Sequence, residues 1–145
     1  MHLSVIPRIL LGVYDTCIKK QSEIKALFKG LPSDEAKYAK IIDLGKALPT
    51  FPLEAKTPIN EVKGCQSIMH LLTSKEEGKL YFQAESDALI SKGLAALLIA
   101  VYSGESPEAI LKCPPSYLEE IGITASLTPN RANGLYSKIG RASCR

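Results

Sequence analysis

The fold is decided by Ser67-Ile68-Met69-His70-Leu71-Leu72-Thr73, the turn signal Glu76-Glu77-Gly78-Lys79, and the run Lys79-Leu80-Tyr81-Phe82-Gln83-Ala84. Both flanking runs are rich in apolar and aromatic residues at strand-like spacing, and glycine sits in the short connection. That pattern predicts an antiparallel β-hairpin. Two strands are marginal in water on their own, so a third is expected around Ile59 to Val62.

Helical signals lie on both sides of the hairpin. Upstream, Ser22 to Lys29 carries Ile24, Leu27 and Phe28 on one side and stops at Gly30-Leu31-Pro32. Ser33 then offers an N-cap, with Asp34 and Glu35 in the first turn where the helix dipole favours negative charge. Tyr38, Ile41, Ile42, Gly45 and Leu48 follow at helical spacing, and Pro49 ends the run. Pro49 to Pro58 reads as an irregular connector. Downstream, Ser86 and Asp87 are expected to cap a helix that is apolar on nearly every side, from Leu89 to Tyr102. Gly104 terminates it. Three short helical pieces are expected next. Pro107 after Ser106 starts the first, and Ser116 with Glu119 makes a capping-box pattern closed by Gly122. Thr128 and Pro129 open the last, which carries Ala132, Leu135 and Ile139.

This order describes an α+β protein, a small antiparallel sheet with helices packed on one face. At 145 residues the chain suits one domain with a real core, and 46% hydrophobic with 23% charged residues is an ordinary globular composition. We read residues 21–145 as that domain and residues 1–20 as an N-terminal extension without an assigned role. A net charge of +3, without a long Lys/Arg cluster, argues against nucleic acid as a partner. Pro7 and Arg8 interrupt the apolar start, and Gly93 to Tyr102 is far short of a membrane span. A cytoplasmic protein, monomeric or weakly dimeric, is expected.

The four cysteines are Cys17, Cys65, Cys113 and Cys144, with two histidines, His2 and His70. No Cys-x-x-Cys pair occurs, so no metal site is expected. Free thiols fit better than disulfides in a domain able to form its own core. Cys65 stands apart: it follows Gly64 in Val62-Lys63-Gly64-Cys65-Gln66-Ser67, at the entry of the first strand, where the backbone can turn tightly and a partner can approach. Cys17, Cys113 and Cys144 read as packing or tail cysteines. A thiolate nucleophile gains from a nearby cation, and Lys63, Lys92 and Arg131 are candidates.

Four stretches in this order resemble the SufE family of sulfur-acceptor proteins. They are the 37–49 run Lys37-Tyr38-Ala39-Lys40-Ile41-Ile42-Asp43-Leu44-Gly45-Lys46-Ala47-Leu48-Pro49, then Val62-Lys63-Gly64-Cys65-Gln66-Ser67. Glu85-Ser86-Asp87-Ala88-Leu89-Ile90-Ser91-Lys92-Gly93-Leu94 and Leu127-Thr128-Pro129-Asn130-Arg131-Ala132-Asn133-Gly134-Leu135 complete the set. The resemblance implies a fold similar to that of U-type iron–sulfur scaffold proteins. It also implies a SufS-like cysteine desulfurase as partner, with pyridoxal phosphate held by that partner and no cofactor in this chain. Cys65 would take persulfide sulfur from the desulfurase, stimulate it, and pass the sulfur to an Fe–S scaffold complex. Gly64, Gln66, Ser67, Asp87, Lys92 and Arg131 would bind the partner or position the cysteine. Ile68 and His70 depart from the polar and aromatic residues common there in the family.

Each of these residues also has a plainer reading. Arg131 can be a solvated arginine in a first helical turn, Asp87 a first-turn acid, and His70 a satisfied strand residue. Lys92, the one charge in a very apolar helix, either reaches solvent or faces the site. A thiol idle in the cytoplasm oxidises easily, so Cys65 is expected to rest against apolar residues and swing out on docking. The rival to the carrier is a thiol-dependent redox enzyme using Cys65 as nucleophile.

Overall fold

The computed structural model describes residues 15–62, 68–122 and 136–140. Its elements are α1 (Asp15–Phe28), α2 (Asp34–Lys46), β1 (Met69–Glu76), β2 (Lys79–Ser86), α3 (Leu89–Tyr102), α4 (Pro107–Leu111) and α5 (Tyr117–Glu120). A last helical stretch covers 136–140. This is the α+β arrangement that the sequence indicates.

The hairpin forms as expected. β1 and β2 pair antiparallel from Met69 opposite Ser86 to Glu76 opposite Lys79. Glu77 and Gly78 both take positive φ, 52° and 80°, the backbone of a two-residue turn whose twist matches the flanking strands. Along β2, Leu80, Phe82, Ala84 and Ser86 are buried and alternate with exposed Lys79, Tyr81 and Gln83. One face of the sheet therefore meets the core and the other meets water.

α3 is the centre of that core. Leu94, Ala95, Leu97, Leu98, Val101 and Tyr102 are all buried in one cluster with Leu71, Leu80, Phe82 and Ala84 of the hairpin. α2 crosses α3 at two glycines. A Cβ on Gly45 would lie 2.7 Å from the Gly93 nitrogen, and one on Gly93 would run into the carbonyl and side chain of Ile41. Glycine is required because the two backbones touch. Ser33 caps α2 as expected, its hydroxyl accepting from the Ala36 amide at 3.1 Å.

Four expectations need correction. α1 starts at Asp15, not Ser22: its buried stripe is Cys17, Gln21, Ile24 and Phe28, and a glutamine in that stripe hides the periodicity. The Gln21 amide donates to the Pro114 carbonyl at 3.0 Å, which makes its burial tolerable. In place of a third strand, Pro58–Asn60 forms a 3₁₀ turn, and pairing is limited to one bridge between Glu61 and His70. Pro58 sits at the start of that turn and has no amide hydrogen for a ladder. Ser86 is the last residue of β2 and Ala88 is the N-cap of α3, with no side-chain cap. Ser116 has helical φ and ψ, −62° and −22°, and makes no cap bond, since an N-cap needs extended backbone. Ser106 does cap Pro107–Leu111, accepting from the Ala109 amide at 3.2 Å.

The glycine crossing sets a sharp stability test. Gly93→Ala forces backbone apart and is expected to cost about 2–3 kcal/mol or more, the upper range for overpacking. Gly140→Ala meets nothing within 4 Å and is expected to be neutral or slightly stabilising. Urea unfolding of both variants checks this, and equal midpoints would contradict it.

Candidate functional site

Cys65, Gly64, Gln66, Ser67 and Arg131, together with the expected resting position of the thiol, lie outside the described residues. What the structure fixes is the frame on both sides of 63–67. On the entry side, Val62 is buried and its amide donates to the Met69 carbonyl at 2.9 Å. The Lys138 ammonium donates to the carbonyls of Ile59 at 2.9 Å and Glu61 at 2.7 Å. On the exit side, the Ser86 hydroxyl donates to the Ile68 carbonyl at 2.8 Å and accepts from the Ala88 amide at 3.2 Å. Exposed apolar side chains occur at Ile59, Ile68 and Leu89 on these flanking segments.

The described candidates take different places. Lys92 forms an ion pair with Glu85 at 3.1 Å while half-buried. Its charge is balanced by a carboxylate of β2. Asp87 is exposed in the bend between β2 and α3. The first turn of α3 holds no acid, so Asp87 stands just before the N-cap and not in the first turn as expected. His70 is half-buried opposite Glu85, with its ring 6.3 Å from that of Phe51. This is a strand residue with neighbours on the outer face of the sheet. Ile68 is 58% exposed, so the departure from the family's polar residue leaves an aliphatic side chain facing water.

Sequence reasoning missed Lys138 and misread Ser86. Ser86 resembles a helix cap because Ser-Asp before an apolar run has that appearance. Lys138 carries no local signal, since its acceptors lie 77 and 79 residues earlier.

Cys17 and Cys113 are fully buried free thiols. Burial pushes the Cys17 thiol far up, with a hydrogen bond to Cys113 adding to the shift. Burial raises Cys113 too, although its bond with Cys17 acts the other way. Around them Tyr102 donates to the Cys113 carbonyl at 2.5 Å and Tyr117 to the Leu97 carbonyl at 2.9 Å. Both cysteines are packing residues, as the sequence indicates, and poor nucleophiles where they stand. Among the described residues no three His, Cys, Asp or Glu side chains group to hold a metal ion.

The family model of the SufE Fe-S metabolism associated domain matches residues 22–143. An uncharacterised SufE-like protein of Synechocystis is 35% identical over 136 residues, 94% of this chain and 86% of that protein. A Rhizobium meliloti SufE-like protein is 38% identical over 119 residues, 79% of this chain and 85% of its own length. The Arabidopsis thaliana SufE-like protein 1, chloroplastic/mitochondrial, is 36% identical over 121 residues, and this chain spans 33% of it. Among solved structures, a hypothetical protein from Thermus thermophilus superposes with a TM-score of 0.67. It shares 28% identity, covering 86% of this chain and 91% of that one.

The buried thiols give a pH prediction. A folded pKa raised above the unfolded one leaves stability intact below the unfolded value and erodes it as pH climbs toward the folded one. The ordinary value is 9.0, so unfolding releases protons above that pH. Between about pH 9 and 10 the slope reaches at most ~1.4 kcal/mol per pH unit for each thiol. Urea unfolding is expected to show a midpoint that declines over this window, and Cys17→Ala should flatten the decline. An equally steep decline in the variant would contradict the assignment.

Proposed function

The chain belongs to the SufE family and so to Fe–S metabolism, and from that premise we propose that it is a sulfur carrier acting on Cys65. The donor is a SufS-like, pyridoxal-phosphate-dependent cysteine desulfurase, and the acceptor an Fe–S cluster assembly scaffold. The protein works with the desulfurase and stimulates it, and has no turnover alone. We place it in the cytoplasm; no helix among the described residues is long and apolar enough to cross a membrane.

The chemistry asks little of the carrier. The Cys65 thiolate attacks the terminal sulfur of the desulfurase persulfide. A new S–S bond forms on Cys65, the old one breaks, and the desulfurase cysteine leaves as a thiolate that regains a proton. The bond formed resembles the bond broken, so no net oxidation occurs and no metal is needed. The same exchange hands sulfur to the scaffold. What the carrier must supply is a thiolate that can enter another protein's site. Arg131, Lys63, Gly64, Gln66 and Ser67 are the chain's own candidates for tuning or presenting it, with Asp87 and Lys92 behind them.

The observation that carries this reading is the family match over 22–143 with Gly64-Cys65 inside it. Its support in the fold is that Val62 and Ile68, on either side of 63–67, are both hydrogen-bonded to the sheet. The rival redox enzyme would need a second, available thiol. Cys17 and Cys113 are fully buried, with the Cys17 thiol donating to the Val101 carbonyl at 3.9 Å, which disfavours both; Cys144 lies outside the described residues.

The test incubates the protein with a cysteine desulfurase and free cysteine and reads intact mass. The expected result is a gain of one sulfur atom, absent in Cys65→Ser and unchanged in Cys113→Ala. No gain, or a gain that persists in Cys65→Ser, would remove the proposal.

A further inference from the structure

We propose that Ile68 and Leu89 form an aliphatic contact by which this chain docks on its cysteine desulfurase, and that they help select which desulfurase it serves. This contact presupposes the carrier reading of Cys65. Ile68 is 58% exposed and Leu89 53%. Ile68 directly precedes β1, and Leu89 opens α3. One hydroxyl links the two places: Ser86 donates to the Ile68 carbonyl at 2.8 Å and accepts from the amide of Ala88, the neighbour of Leu89, at 3.2 Å. Two exposed aliphatic residues thus share one corner of the fold. Beside them Lys92 is paired with Glu85 at 3.1 Å, and Asp87 is exposed. An apolar centre bordered by polar groups is the make-up of a protein–protein contact.

The covalent chain names the occupant. Cys65 precedes Ile68 by three residues, so their Cα atoms are at most about 11 Å apart in any conformation. To exchange sulfur, the thiol must come within about 3–3.5 Å of a persulfide held by another protein. Even a modest interface covers about 600–800 Å² on each side, a patch on the order of 14–16 Å in radius. Wherever the thiol lies, Ile68 falls within the area that a partner receiving it covers, and Leu89 is linked to Ile68 through Ser86.

Covering an exposed aliphatic side chain favours association through its apolar area. A polar group in the same place would shed water and need a partner of its own. The desulfurase therefore needs an apolar recess beside the entrance to its persulfide. Ile68 stands where the family resemblance gives a polar residue. A desulfurase matched to that polar residue would face Ile68 with groups left unpaired, and discrimination between desulfurases follows from the mismatch.

The test measures binding of the full chain to the desulfurase of the sulfur-loading experiment by isothermal titration, in a Cys65→Ser background so that no sulfur moves. Ile68→Gln and Leu89→Gln are each expected to raise Kd about five- to tenfold. Ile68→Val should stay within about threefold, since it removes one methylene. Leu111→Gln is the control: Leu111 is 51% exposed and ends α4, and its substitution should leave Kd unchanged. All three positions are at the surface, so urea midpoints should stay those of the background. In chains that keep Cys65, Ile68→Gln and Leu89→Gln should raise the carrier concentration for half-maximal sulfur loading and leave the saturated rate unchanged. Unchanged Kd in both overturns the contact, while sulfur loading at Cys65 leaves the carrier reading standing. An equal rise in Leu111→Gln overturns it too. So does a dimer of this chain that Ile68→Gln disperses with desulfurase binding intact, which assigns the corner to a second copy. A chain that neither binds the desulfurase nor takes up its sulfur removes the carrier reading and the contact with it.

Discussion

The contact between Gly45 and Gly93 is the constraint on which the arrangement depends. It brings α2 and α3 together at backbone distance, closer than any pair of side chains would allow. α3 is then held from one side by α2 and presents its remaining apolar surface to the inner face of the hairpin. Only Asp87 and Ala88 separate β2 from α3, so the end of β2 follows wherever the helix is set. Ser86 is at that end, and through it the Ile68 carbonyl is placed. A packing choice in the middle of two helices thus reaches Ile68, on the exit side of the cysteine.

Polar groups close the edges that this packing leaves. Backbone bonds join Leu80 to Glu105 and Gly104, and the Phe82 amide donates to the Ser103 hydroxyl at 3.1 Å. The turn after α3 therefore covers the outer edge of β2, where an unpaired strand would invite association. Glu105 is a buried carboxylate, and its charge is met by Lys20 at 2.7 Å and the Thr16 hydroxyl at 2.8 Å. A buried charge needs such partners to be tolerated at all. The same residue links α1 to the sheet edge, so the helix whose start is hidden in the sequence is tied by both Cys17 and Glu105.

Legibility in the sequence follows the range of the interaction. The hairpin was readable because its signal is local: alternation, then Glu77-Gly78, then alternation. α2 was readable because Ser33, Asp34 and Glu35 mark its start within three residues. α1 was half hidden because Gln21 occupies a core position and is satisfied by Pro114, 93 residues away. The third strand failed because Pro58 favours a turn over a ladder, an effect that apolar Ile59 and Val62 mask. Lys138 could not be found at all, since nothing near it in sequence mentions Glu61. For the candidate site, the sequence shows the thiol, its glycine and the family pattern around them. The supports on either side come from residues that meet only in the folded chain.

The division among the cysteines then has a physical logic. A thiol buried among apolar groups keeps its proton and does no chemistry, and Cys17 and Cys113 occupy that state in the core. A carrier thiol needs the opposite environment and also a limit on its excursions, because a thiolate that meets any oxidant is lost to the exchange. A long unrestrained loop would give access without that limit, and a buried strand would give the limit without access. Val62 and Ile68, on either side of the cysteine, are both hydrogen-bonded to the sheet.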